Sequence, residues 1–255
     1  MNSSAQFIDY ERLFAETDSM AARFRDAEPF PHIVIDDFLT GEFVSQLNRN
    51  FPDFSVKKKS GSTHIPVVLP DGSEAQLGKE WLSREQLVSL LYRRLYWELN
   101  SNPFVSLLEK VTGIPGLLAD PHLAGGGVHN TSPGGYLKVH SDFNKHPQYG
   151  LDRRLNLLIY LNEDWLDEYG GHLELWTKDM GSCVQKIAPI AGRCVIFRTT
   201  STSFHGHPHP LACPPDRSRR SIALYYYSNG RPPEEDSREH GTLWQDLPGQ
   251  VGQGT

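Results

Sequence analysis

Cysteine is scarce in this chain: Cys183, Cys194 and Cys213 are the only three, and no two form a CxxC pair. Any pairing leaves one over, so a disulfide framework is not expected and a reduced, cytoplasmic protein is the simplest account. Long apolar runs are missing as well. The N-terminus has no stretch of signal-peptide length, and no later stretch is long enough to span a bilayer, so no membrane role is expected. Charge of one sign is also lacking. Lys plus Arg number 25 against 31 Asp plus Glu, and the resulting −6 is too mild to suggest a nucleic-acid partner. No internal repeat is visible. What remains is ordinary globular composition, 38% hydrophobic and 22% charged over 255 residues, for which one domain spanning 1–255 is expected.

The first part of the chain reads as helical. Phe7, Tyr10, Leu13, Phe14 and Met20 recur at roughly helical spacing and predict a helix from Phe7 to Arg25, ended by Pro29 and Pro31. His32 to Ile35 predicts a short strand, and Thr40 is placed to cap a second helix. The stretch from Ser55 to Ser73, with Lys57, Lys58 and Lys59, predicts an exposed loop or hairpin. Ser83 and Gln86 make a capping-box pattern before a stripe of Leu87, Leu91, Leu95 and Leu99. Ser101, Pro103 and Gly113 mark the start, first turn and stop of another helix.

From about His122 the texture changes to short β-rich runs: 136–139, 155–161, 172–176, 184–187, 193–197 and 221–227, punctuated by Gly, Pro, Asn and Asp. This predicts an antiparallel sandwich or barrel. Helices first and strands after give a mainly β, α+β chain, with a helical buttress over 1–119 packed outside a jelly roll over 120–230. The tail, 231–255, is rich in Pro, Glu, Gly and Gln, with Leu243 and Trp244 as a possible anchor.

The segment Gly134-Gly-Tyr-Leu-Lys-Val-His-Ser-Asp-Phe143 carries the chemistry. If 136–142 is extended, His140 and Asp142 point to one face. An imidazole and a carboxylate so placed are two thirds of a facial two-histidine, one-carboxylate triad, which leaves three coordination positions open. The third ligand should come from a later strand. Thr202 to Pro210 offers His205, His207 and His209; His205 is preferred because it follows an extended run and precedes a glycine, whereas the other two precede prolines in an expected loop. A dicarboxylic cosubstrate chelated at one end needs a cation at the other, and arginine suits a carboxylate. Arg219 and Arg220 are alternatives decided by strand parity. One register turns Arg219, Ser221, Ala223 and Tyr225 inward; the other turns Arg220, Ile222, Leu224 and Tyr226. Arg219 is preferred, because small and hydroxylic neighbours leave room for a ligand. His129, Asn144 and Trp176 are candidate substrate contacts, and Asn144 shares parity with His140 and Asp142 if the strand continues that far.

Over roughly 120–230 the chain resembles the prolyl 4-hydroxylase-like branch of the 2-oxoglutarate and iron(II) dioxygenases. Leu158 to Trp165, Tyr169 to Trp176 and Ala191 to Phe197 look like that family's strands around the metal motif. The resemblance implies a double-stranded β-helix of cupin-like form, with iron(II) on His140, Asp142 and His205. It implies 2-oxoglutarate held by Arg219, Ser221 and Tyr160, dioxygen as co-reactant and ascorbate as reductant. Hydroxylation of a small-molecule or peptidyl substrate, with succinate and carbon dioxide as co-products, is the implied activity. The retained Asp142 argues against the halogenating relatives. A catalytically silent jelly-roll binding or sensing module is the rival expectation, and a cupin-type hydrolase or isomerase would need no cosubstrate arginine.

Overall fold

The structure is a computed structural model that describes residues 7–54, 67–83, 88–235 and 238–249. Among these, five α-helices precede or flank an antiparallel β-structure of eleven strands. Lys57 to Lys59, Gln86 and Leu87, which carried sequence expectations, lie outside the described residues.

The expected N-terminal helix is two helices, α1 (Tyr10–Ala15) and α2 (Thr17–Asp26). The Thr17 hydroxyl bonds back to the carbonyls of Leu13 and Phe14 at 3.1 and 3.0 Å, and this local competition with the helix ladder marks the break at Glu16. Strand β1 (His32–Ile35) and helix α3 (Gly41–Arg49) follow as expected, although Thr40 occupies the cap position without a side-chain bond. Helices α4 (Leu90–Leu99) and α5 (Asn102–Thr112) complete the buttress, and α5 stops at Gly113 with φ of 68°. The described part of the expected 55–73 loop is a small hairpin, with Val68 bridged to Glu74.

The remaining strands are β2 (Gln76–Leu82), β3 (Leu118–Ala119), β4 (Gly127–Ser141), β5 (Asp152–Tyr160), β6 (Leu173–Trp176), β7 (Cys183–Ile187), β8 (Cys194–Arg198), β9 (His205–His207), β10 (Arg219–Ser228) and β11 (Leu243–Trp244). Hydrogen bonding runs β1-β8-β5-β10-β4-β9-β6-β7. The pivot is β4: its first residues pair with β10 (Thr131 opposite Arg219), and its last pair with β9 (His140 opposite His205). One strand therefore serves both faces of the roll, as a double-stranded β-helix requires. Sequence reading did not find β2, β3, β9 or β11. Two of these are only two residues long, and β9 is three, too short for a period to register.

Strand parity decides what lies inside. Ile222, Leu224 and Tyr226 of β10, with Leu155, Leu157 and Ile159 of β5, face the helices and join Phe24, Leu95, Leu99 and Phe104 in the main core. The alternate residues face the interior of the roll, where Tyr160, Leu173, Leu175, Val195 and Phe197 form a second cluster. Both faces of β5 and β10 are thus covered, which is why they read as near-continuous apolar runs.

Candidate active site

His140 lies near the end of β4, and Asp142 follows one residue past its end, on the same side. His205 opens β9 directly opposite His140. The two imidazole centroids are 4.5 Å apart. His140 Nε2 lies 3.6 Å from one Asp142 oxygen, and His205 Nε2 lies 3.4 Å from the other. All three ligand atoms fall within 4.8 Å of one another, and among the described residues no other three His, Cys, Asp or Glu side chains converge so.

The orientation is held from behind. His140 Nδ1 lies 2.9 Å from the Lys138 carbonyl and His205 Nδ1 2.9 Å from the Ser203 carbonyl. A carbonyl only accepts, so each Nδ1 carries the proton and each Nε2 presents a lone pair to the centre. Burial lowers the His140 pKa, and His205 beside it lowers it further. Burial works against an ionised Asp142, but the Arg153 guanidinium and the neighbouring histidines overcome this and hold its carboxyl well below the usual range.

Arg153 is fully buried. It reaches Asp142 at 3.1 Å and donates to Asn156 Oδ1 at 2.9 and 2.6 Å, while Asn156 Nδ2 donates to Asp142 at 2.6 Å. Its guanidinium stacks 3.4 Å from the Tyr225 ring centroid and 4.4 Å from that of Phe143. Sequence reading missed this clamp, because nothing local links Arg153 to Asp142.

The three residues open onto a cavity of about 70 Å³, lined also by Lys79, His129, His207 and Arg219. Larger hollows lie beside Asn48 and Arg217, about 240 Å³, and beside Arg154 and Arg231, about 450 Å³. Neither holds the triad, so chemistry and not size marks the site.

Arg219 faces this cavity; Arg220 turns outward, 3.3 Å from Asn48 Oδ1 and over the Phe51 ring. Arg219 Nε donates to the Gly171 carbonyl at 2.7 Å and Nη2 to the Tyr160 hydroxyl at 3.3 Å. Gly171 has φ of +71°, and a Cβ there would lie 2.6 Å from Leu211 Cδ2 and 3.0 Å from Arg219 Cδ. Glycine at this position lets the arginine lie flat against the backbone.

Ser221 and His129 line the cavity too, and His129 Nε2 is buried without a partner. Asn144 does not line this cavity. Strand β4 ends at Ser141, parity is lost, and the Asn144 amide instead pins the tail through Arg238 and His240. Trp176 does not line it either: it packs with Val139 and Phe204, and its Nε1 donates to Glu174 at 3.1 Å. His207, expected in a loop, ends β9 on the same face as His205, with Nδ1 buried and unpartnered. That spacing of two was a signal available in the sequence; the following proline obscured it. The tail does anchor at Leu243 and Trp244, which pair with Ser141 and His140, the Trp244 ring 4.8 Å from that of His140.

The β4–β9 contact that sets the triad leaves no room at Gly206, where a Cβ would lie 2.8 Å from the Lys138 carbonyl oxygen. Gly206→Ala is expected to cost about 1–3 kcal/mol of stability through overpacking. It should also weaken manganese(II) binding by moving His205, as denaturant unfolding and calorimetry would show. Unaltered metal affinity would mean that the β4–β9 spacing does not govern the site.

An antiparallel jelly roll with two histidines and an aspartate converging beside a buried arginine has the layout of the non-haem iron oxygenases that consume an oxoacid. Residues 126–227 match the family model described as the 2OG-Fe(II) oxygenase superfamily. They form a 2OG-Fe(II) oxygenase domain, the domain of 2-oxoglutarate-dependent non-haem iron dioxygenases, and the fold is like that of prolyl hydroxylases. It is similar to a prolyl hydroxylase from Trichoplax adhaerens in complex with a hypoxia inducible factor oxygen degradation domain peptide. Identity there is 18%, TM-score 0.59, with 89% of this chain and 96% of that chain covered. A prolyl 4-hydroxylase from Phytophthora capsici is 17% identical, TM-score 0.56, covering 89% and 68%. HygX from Streptomyces hygroscopicus, with nickel, 2-oxoglutarate and hygromycin B bound, is 12% identical, TM-score 0.50, covering 94% and 98%. At these identities the likenesses speak for the fold. No curated protein sequence matches the chain. The family implies iron(II), 2-oxoglutarate and dioxygen. The convergent Nε2 lone pairs beside an ionised Asp142 are a donor set that fits iron(II).

Proposed function

We propose that this protein hydroxylates an unactivated C–H bond of a peptidyl or free amino acid or a biosynthetic intermediate, consuming 2-oxoglutarate and dioxygen and releasing succinate and carbon dioxide. The observation that supports this most is the joint placement of the triad and Arg219 on one cavity. His140, Asp142 and His205 would hold iron(II), and Arg219, Ser221 and Tyr160 the far carboxylate of 2-oxoglutarate. Bound together, the two supply the oxidising power for the reaction, with ascorbate as the reductant that keeps the metal ferrous.

The chain's own residues do the rest. The carbonyls of Lys138 and Ser203 fix the histidine tautomers. Arg153 and Asn156 keep Asp142 ionised and aimed. The Tyr160 hydroxyl accepts from Arg219 and so orients its fork. His129 is placed to contact substrate, and it lines the cavity with a spare nitrogen. The helices and the roll act as one domain on this reading, because the main core is built from both. All three cysteines are free thiols, and a reducing, cytoplasmic setting is part of this reading. Among the described residues no helix is long and apolar enough to cross a membrane. The mild acidity still argues against a nucleic-acid partner.

The test is succinate formation from 2-oxoglutarate by purified protein with iron(II) and ascorbate in air. Asp142→Asn is a better control than alanine, since it keeps a polar partner for Arg153. Succinate from the wild type and none above background from the variant is the expected result. No succinate, together with no anaerobic binding of 2-oxoglutarate in the presence of metal, would favour the silent binding module.

A further inference from the structure

The inner face of the roll carries a second cation beside Arg219. Lys79 of β2 stands opposite Thr131 of β4, and Thr131 stands opposite Arg219 of β10. The three form one cross-strand row, and all three line the cavity. Lys79 and Arg219 are thus two strands apart, roughly 9–10 Å at the backbone, with long side chains and only a threonine between them. The next row along β4 and β10 is His129 and Ser221. His129 Nε2 and His207 Nδ1 are both buried on this cavity without hydrogen-bond partners. A wall with two cations in one cross-strand row is built for an anion that takes hydrogen bonds from more than one strand.

We propose that Lys79 is a second cation of the cosubstrate site, gripping the far carboxylate of 2-oxoglutarate from β2 while Arg219 grips it from β10. This rests on the oxygenase reading above and deepens it. A carboxylate has two oxygens, and two cations on separate strands can each take one, which a single guanidinium held sideways by Gly171 and Tyr160 does less completely. The row places Lys79 with Arg219 and not with His140 or His205, which pair with each other further along β4. Lys79 therefore recognises the end of the oxoacid that the metal does not hold.

The experiment compares two probes, 2-oxoglutarate and 2-oxopentanoate, which share the chelating end but differ in the far carboxylate. Dissociation constants are measured by calorimetry on manganese(II)-loaded protein without dioxygen, for wild type, Lys79→Met, Lys79→Gln and Lys79→Arg, with unfolding temperatures as the check on folding. The neutral variants should lose roughly 10- to 100-fold in 2-oxoglutarate affinity, the size of a charge-assisted contact. Their 2-oxopentanoate binding should not change, and Lys79→Arg should recover most of the loss. If methionine misfolds, glutamine carries the test. Equal losses for both probes, or no loss for either, would overturn the proposal and leave Lys79 a structural residue of β2. A wild type that binds neither probe would instead sink the oxygenase reading, and this inference with it.

Discussion

Arg219→Met is expected to weaken 2-oxoglutarate binding on the order of 30-fold to several thousand-fold while leaving manganese(II) affinity unchanged. The range is what removing one partner of a buried, hydrogen-bonded charge pair costs, about 2–5 kcal/mol. Arg219 is buried, and its Nε and Nη2 bonds to Gly171 and Tyr160 hold the fork without neutralising it. A carboxylate is therefore the counter-ion the site lacks. Methionine keeps the length and the apolar stem but removes every donor. Arg219→Lys should restore part of the affinity, since a point charge replaces the charge but not the fork. Arg219 hydrogen-bonds Gly171 and Tyr160 and none of His140, Asp142 or His205, so metal titration separates a lost anion site from a collapsed cavity. A methionine variant that binds 2-oxoglutarate as tightly as the wild type would remove Arg219 from the cosubstrate site.

The second large effect is on stability. Arg153→Met should destabilise the metal-free protein by about 3–5 kcal/mol, because it leaves Asp142 as a buried charge without its cation. It also removes the donor that reaches both Asp142 and Asn156, and the stack on Tyr225. The deficit should widen by about 1–3 kcal/mol at saturating manganese(II), since a variant that binds the metal less tightly gains less stability from it. Metal affinity itself should fall roughly 10- to 100-fold, the usual effect of losing a partner behind a ligand. Denaturant unfolding with chelator and with saturating metal measures both. An equal loss in the two conditions would show that Arg153 serves packing alone and does not charge Asp142.

Much of the site was legible because it is written in short-range spacing. His140 and Asp142 are two apart on an extended segment, and Arg219 with Ser221 repeats that spacing on another. A period of two is all a strand needs to put both on one face. The limit of such reasoning shows at Asn144, where parity was extended past the end of β4, and at Trp176, where adjacency in sequence did not become adjacency in the cavity. His207 shows the opposite error, a strand residue read as loop because a proline follows it.

Composition, helix punctuation and alternation determined by themselves that helices buttress a jelly roll, and which histidines and aspartate would converge, since each depends on neighbours a few residues away. The clamp of Arg153 and Asn156 on Asp142, the hold of Gly171 and Tyr160 on Arg219, and the row from Lys79 to Arg219 were decided only by the tertiary structure. Each joins residues on separate strands. Which strands lie side by side depends on how the whole chain closes its core and pairs its backbone, and no local spacing records that.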